Sequence, residues 1–151
     1  MKISPYALSV TLAAGLTGTA SAVSLTEPVG AYEDFALAGT TSAGRPELGG
    51  SVLAESLNKF TIDGPGTSLT LKVLSQVIRS DFDGTLDFYW RLTKVEGNGQ
   101  VEAFRVGGFA GLALDADWRT DGLGDRAPGV ARYFGSDGGN VNFLFDDLTA
   151  G

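Results

Sequence analysis

The stretch Gly84-Thr-Leu-Asp-Phe-Tyr-Trp-Arg-Leu-Thr93 constrains the fold more than any other. Leu86, Phe88, Trp90 and Leu92 share one face of an extended chain, and Asp87, Tyr89, Arg91 and Thr93 share the other. A period of two marks a β-strand with one face buried. Two large aromatics on the apolar face would dominate any core that they enter. The chain must therefore supply further strands to cover that face.

The neighbouring segments read as such strands. Thr67 to Arg79 places Leu69, Leu71, Val73 and Val77 on one side, and the Ser80–Gly84 turn then brings it antiparallel to Thr85–Thr93. Upstream, Ser51 to Asp63 is a strand that ends at the Gly64-Pro65-Gly66 turn. Its apolar residues change parity, which predicts a bulge near Leu57–Lys59. Downstream, strands are expected over Gln100–Val106 and Leu112–Trp118, then over Val130–Phe134 and Val141–Phe145. Glu96-Gly-Asn-Gly99 and the Gly- and Asp-rich stretches 120–129 and 135–140 separate them. No window carries helical periodicity. The expectation is an all-β chain, an antiparallel β-sandwich of about seven strands, with a barrel as the alternative. The ending Asp146-Asp-Leu-Thr-Ala-Gly151 reads as a turn, which is either a natural end or the point beyond which the last strands of the sandwich are missing.

The N-terminal residues 1–22 read as a Sec signal peptide. Lys2 is the positive end, Tyr6–Leu16 the apolar run and Ala20-Ser21-Ala22 the small-residue cleavage site. The run is shorter than the roughly 20 residues of a membrane span. Residues 23–50 lack sustained periodicity and read as an irregular segment, and 51–151 as the sandwich domain. Export implies a periplasmic or extracellular location.

Composition narrows the chemistry. The 151-residue chain has no Cys and no His. That removes disulfides, Ser-His-Asp triads, Cys nucleophiles and ordinary zinc sites. Lys59, Lys72 and Lys94 sit in polar settings, which disfavours a Ser-Lys nucleophile. A net charge of −7 provides no footprint for nucleic acid or anionic lipid. The reading is a protein without enzymatic activity. A carboxylate-based hydrolase is the least favoured alternative, because among so many acidic residues a pair at glycosidase spacing arises by chance.

Two constellations are candidates for binding. Asp115, Asp117, Asp121 and Asp125 are spaced through a Gly-containing loop in a way that suits Ca²⁺, which takes six to eight oxygen ligands. Asp121-Gly-Leu-Gly-Asp125 also looks like part of a thrombospondin type 3 calcium loop, although Arg119 stands where a further Asp is expected. Turn chemistry alone accounts for the same residues, as it does for Asp81 and Asp83. The second candidate is a ligand platform of Asp87, Tyr89 and Arg91 on the outward face of the central strand. Tyr32, Phe82 and Tyr133 would extend it. The competing reading is a covered face, or cross-strand pairing of Asp87 with Arg79 or Arg105.

Several stretches together, Arg45-Pro46-Glu47-Leu48, Gly84–Arg91, Trp118-Arg-Thr-Asp-Gly-Leu-Gly-Asp125 with Ala127-Pro128, and Val141-Asn-Phe-Leu-Phe145, resemble exported bacterial proteins of the PEP-CTERM type, which carry a sorting domain. The resemblance spans roughly Arg45 to Leu148 and implies export in a Gram-negative bacterium, often one that makes extracellular polysaccharide. It transfers no catalytic residue. The Val-Pro-Glu-Pro-like motif, hydrophobic helix and basic tip that close such proteins are not present. The functional expectation is a structural or binding module at or outside the cell envelope, with extracellular polysaccharide or another envelope protein as partner. The alternative is a Ca²⁺-dependent carbohydrate-binding module.

Overall fold

A computed structural model describes residues 6–12 through their backbone, and residues 22–122, 124, 126–135 and 138–149 in full. The strands are β1 (Tyr6–Leu12), β2 (Val23–Leu25), β3 (Glu33–Ala36), β4 (Gly50–Gly64), β5 (Thr67–Ser80), β6 (Leu86–Gly97), β7 (Gln100–Val106), β8 (Leu114–Asp117), β9 (Val130–Phe134) and β10 (Asn140–Thr149). They form a six-stranded sheet of order β2-β8-β1-β6-β5-β4 and a four-stranded sheet of order β3-β9-β10-β7. Neighbouring strands are antiparallel throughout. The protein is an all-β antiparallel sandwich, and no described helix is long and apolar enough to cross a membrane.

The core lies between the sheets. Leu69, Leu71 and Val73 of β5, Leu92 and Val95 of β6, and Leu114 and Ala116 of β8 face Val101, Val106, Ala131, Val141, Phe143 and Leu148 from the other sheet. Burial of so much branched apolar surface is the main stabilising term, at about 25 cal/mol per Å² removed from water. Gly97 closes β6 at a positive φ of 113°, and a Cβ there would run into the Ser68 carbonyl oxygen. Only glycine allows the turn into β7 at that approach.

All seven strands read from the sequence are present, with different edges. Three more join them. Tyr6–Leu12, the first part of the N-terminal apolar run Tyr6–Leu16, forms β1 between β6 and β8. Residues 23–50 are not irregular throughout: β2 pairs with β8, and β3 pairs with β9. Across the β3–β9 ladder Arg132 donates from Nε and Nη2 to the Asp34 carboxylate, at 2.6 and 2.7 Å. The ending is a strand and not a turn up to Thr149. Asp147, at a φ of 52°, lies in an irregularity between Leu144 and Leu148. This shift of parity turns Leu148 into the core after Val141, Phe143 and Phe145. The bulge in β4 falls between Val52 and Ala54, rather than near Leu57–Lys59.

Candidate functional site

The central strand is covered on both faces. Phe88 and Trp90 stack at 6.2 Å and meet the edge of Phe109, so the aromatic face points toward the core as its period demands. The opposite face carries Asp87, Tyr89 and Arg91. Asp87 is 0% exposed and Tyr89 is buried, whereas Arg91 is half-buried. The exposed platform expected there is therefore absent. The segment from Thr40 to Leu48, ending in a short 3-10 turn over Pro46–Leu48, lies across it. Tyr89 donates its hydroxyl to the Leu48 carbonyl at 3.0 Å. The other aromatics do not extend the platform: Tyr133 belongs to the core, while Phe82 is exposed at the β5–β6 turn. Opposite Asp87 stand Ile78 and Thr11, not Arg79 or Arg105.

Strand register brings the two sequence candidates to one face. Asp87 and Asp115 both stand opposite Thr11 of β1, and Tyr89 and Asp117 both stand opposite Ser9. The covering segment is anchored on the β8 side as well. Thr40 forms a parallel bridge with Arg119, with Thr40 N donating to the Trp118 carbonyl at 2.9 Å. Asp117 Oδ1 accepts from Gly39 N at 2.8 Å and Trp118 N at 2.9 Å. Arg119 reaches across: its Nε binds Asp121 at 2.6 Å, its Nη1 lies 3.4 Å from the Tyr89 hydroxyl, and its guanidinium stands 5.8 Å over the Tyr89 ring. Asp121 Oδ2 accepts from Ser42 N at 2.8 Å and Ser42 Oγ at 2.7 Å. The buried Arg45 donates from Nε to Glu47 at 2.6 Å.

Electrostatics follow from this packing. Burial, then the nearby Asp87 charge, push the Tyr89 hydroxyl up to about 12. Burial pushes the Asp117 carboxyl up, against its two backbone bonds. Arg119 and Ser42 hold Asp121 well below the usual carboxylate range. The cluster is a clamp that fixes the covering segment on the sheet. Tyr89 stays protonated at neutral pH, so it can donate a proton in a hydrogen bond but cannot act as a base.

Three of the four candidate metal ligands already have partners. Asp115 accepts from Ser24 Oγ at 2.5 Å, Asp117 binds backbone N–H groups and Asp121 is engaged by Arg119 and Ser42. Asp125 lies outside the described residues. Among the described residues no three carboxylates form a group that could hold a metal ion. Calcium requires carboxylates free to converge on one point, so excess Ca²⁺ or EDTA is expected to leave the melting temperature unchanged. A rise of several degrees with Ca²⁺ that Asp121→Ala abolishes would contradict this assignment. The loop at Asp83 is turn chemistry: its Oδ1 accepts from Thr85 N at 3.0 Å and Thr85 Oγ1 at 2.7 Å.

The clamp has a pH signature. The ordinary hydroxyl value of 10.0 rises to about 12 in the folded chain. The folded state keeps a proton that the unfolded state releases, so this contribution is fully present below pH 10 and is lost as pH rises through about 12. Tyr89→Phe is expected to flatten the fall in stability across that window. It should also cost about 1 kcal/mol at neutral pH through the lost bond. Urea titrations at stepped pH measure both. An unchanged alkaline slope would place the hydroxyl in water.

β4 presents a different surface, which the alternation of its apolar residues does not mark. All fifteen residues of β4 are exposed, with Leu57 at 59% and Phe60 at 50%. The strand forms an outer edge of its sheet. Phe60 and Ile62 stand beside the buried Leu71 and Leu69, but at the rim of the core and not within it. Their alternation suggests burial. The countersignal was that apolar residues occupy both parities while Glu55, Lys59 and Asp63 interrupt them.

The chain matches no protein-family model, no curated protein and no solved structure.

Proposed function

We propose that this is a non-enzymatic β-sandwich that acts as a structural or binding module at or outside the cell envelope. The observation that carries the reading is β4, a fully exposed edge strand bearing large apolar side chains. Such an edge is a template for another strand, and soluble proteins usually blunt or cover it. Tyr89, Asp117, Arg119 and Asp121, polar residues of the stretches that carry the two candidate constellations, take part in the contacts that hold Thr40–Leu48 on the sheet. Export rests on the leader features of residues 1–22 and on the resemblance to PEP-CTERM-type proteins. An envelope protein or extracellular polysaccharide fits an acidic module better than a nucleic acid does.

The test is expression of the full chain in a Gram-negative host, followed by fractionation and intact-mass measurement. The reading expects a periplasmic or secreted product that begins at Val23. A full-mass chain confined to the cytoplasm would contradict it.

A further inference from the structure

We propose that β4 is a self-association surface, on which two copies of this chain pair antiparallel, edge to edge, about a two-fold axis at Leu57. The inference rests on the reading of the chain as a binding module and names its partner. Among the described residues β4 pairs only with β5, so one edge of the strand is open. The Pro65-Gly66 turn is flanked by the pair Gly64 and Thr67. In a two-residue hairpin that pair is hydrogen bonded, and bonding alternates from there. The backbone groups of Glu55, Leu57 and Lys59 therefore point to the open edge.

The sequence of β4 is complementary to itself in this register. With Leu57 opposite Leu57, the Glu55 of each copy faces the Lys59 of the other. Ser56 faces Asn58, and Ala54 faces Phe60. Cross-strand opposite charges and apolar contacts are the favourable pairs of an antiparallel ladder. Moving the axis by two residues in either direction sets Lys59 against Lys59 or Glu55 against Glu55, so the charges select one register.

Two features of the surrounding sheet fit the same arrangement. Lys59, Lys72 and Lys94 stand in one row across β4, β5 and β6. Lys94 has Glu96 at 2.5 Å, whereas Lys59 ends the row at the open edge beside a like charge. The second copy's Glu55 arrives at that end. On the opposite face, Ala54 borders a shallow groove of about 200 Å³ whose lining includes Ser75, Val77, Phe88 and Trp90. The pairing sets the second copy's half-exposed Phe60 beside Ala54, at the mouth of this groove. A large side chain meets a small one where there is room for it.

Sedimentation velocity of the full chain over a concentration series tests the proposal with Glu55→Lys and Lys59→Glu. Both positions are exposed, and thermal melts check that the variants fold. Wild type is expected to pass from monomer to dimer as concentration rises. Each variant alone sets like charges opposite each other twice per dimer and should weaken association at least tenfold. Mixing the two variants restores opposite charges at every position, so the mixture should associate more strongly than either variant alone. A wild type that stays monomeric at millimolar concentration would overturn the proposal. So would variants that dimerise like wild type, or a mixture that recovers nothing. None of these outcomes touches the fractionation result, so failure of this pairing is distinguishable from failure of the export reading.

Discussion

Phe143→Ala is expected to cost about 3–5 kcal/mol of stability. Phe143 is 0% exposed in the middle of β10, between Phe104 of β7 and Ala131 of β9, so its ring fills the centre of the sandwich. Strands on both sides and a sheet opposite limit how far the site can collapse, which places the cost high in the range for aromatic truncation. A domain of this size has roughly 5–15 kcal/mol in total. The variant should melt about 10 °C or more below wild type, with a lower urea midpoint and an unchanged slope. A loss under about 1 kcal/mol would mean that the sheets do not meet at Phe143.

The second large effect concerns β1. Removing residues 1–22 should leave a folded but less stable chain. All seven residues of β1 pair with β6, and Ser9, Val10 and Thr11 also pair with β8. Without β1, β8 and β2 lose their ladder to the rest of the six-stranded sheet. The β4–β5–β6 ladder and the four-stranded sheet would persist, because their pairings do not involve residues 1–22. Amides of β6 and β8 are expected to exchange faster in residues 23–151 than in the full chain. A synthetic peptide of residues 6–12 should slow that exchange again, since an open slot between strands accepts an added one. If export removes the leader, the exported chain carries this open slot. Equal exchange and equal melting in both forms would show that β1 contributes nothing to the sheet.

Much of the architecture was legible because local pattern and tertiary structure agree. Thr67–Arg79 alternates with Leu74 and Ile78 as apolar exceptions, Thr85–Thr93 alternates throughout, and the two pair as β5 and β6 with one register shift, between Lys72 and Val73. Leu114 and Ala116 face the core and Asp115 and Asp117 the other side, as period two requires. What was not legible depended on partners distant in sequence. Nothing local to Asp87 or Tyr89 indicates that Leu48 and its neighbours will cover them. The covering segment has no period of its own, and its anchors are scattered bonds to Tyr89, Trp118, Thr120 and Asp121, all distant in sequence. β3 is four residues long, and its partner β9 lies almost a hundred positions away, with Asp34 standing opposite Arg132 at a separation of 98. The parity shift at Asp147 hid the last part of β10, because a bulge reverses the side on which apolar residues are expected. In β4 alternation was present but burial was not, since the outer strand lies at the rim of the core.

The candidate residues fall into two groups. Tyr89, Asp117, Arg119 and Asp121 clamp a segment to the sheet, and β4 offers the surface for association. Sedimentation velocity of Tyr89→Phe and Leu57→Lys, side by side at the same concentrations, separates the two roles. Tyr89→Phe is expected to associate like wild type despite its lower stability. Leu57→Lys, which sets two cations together at the two-fold axis, is expected to remain a monomer with an unchanged melt. Loss of association in Tyr89→Phe, with dimers retained in Leu57→Lys, would contradict this division.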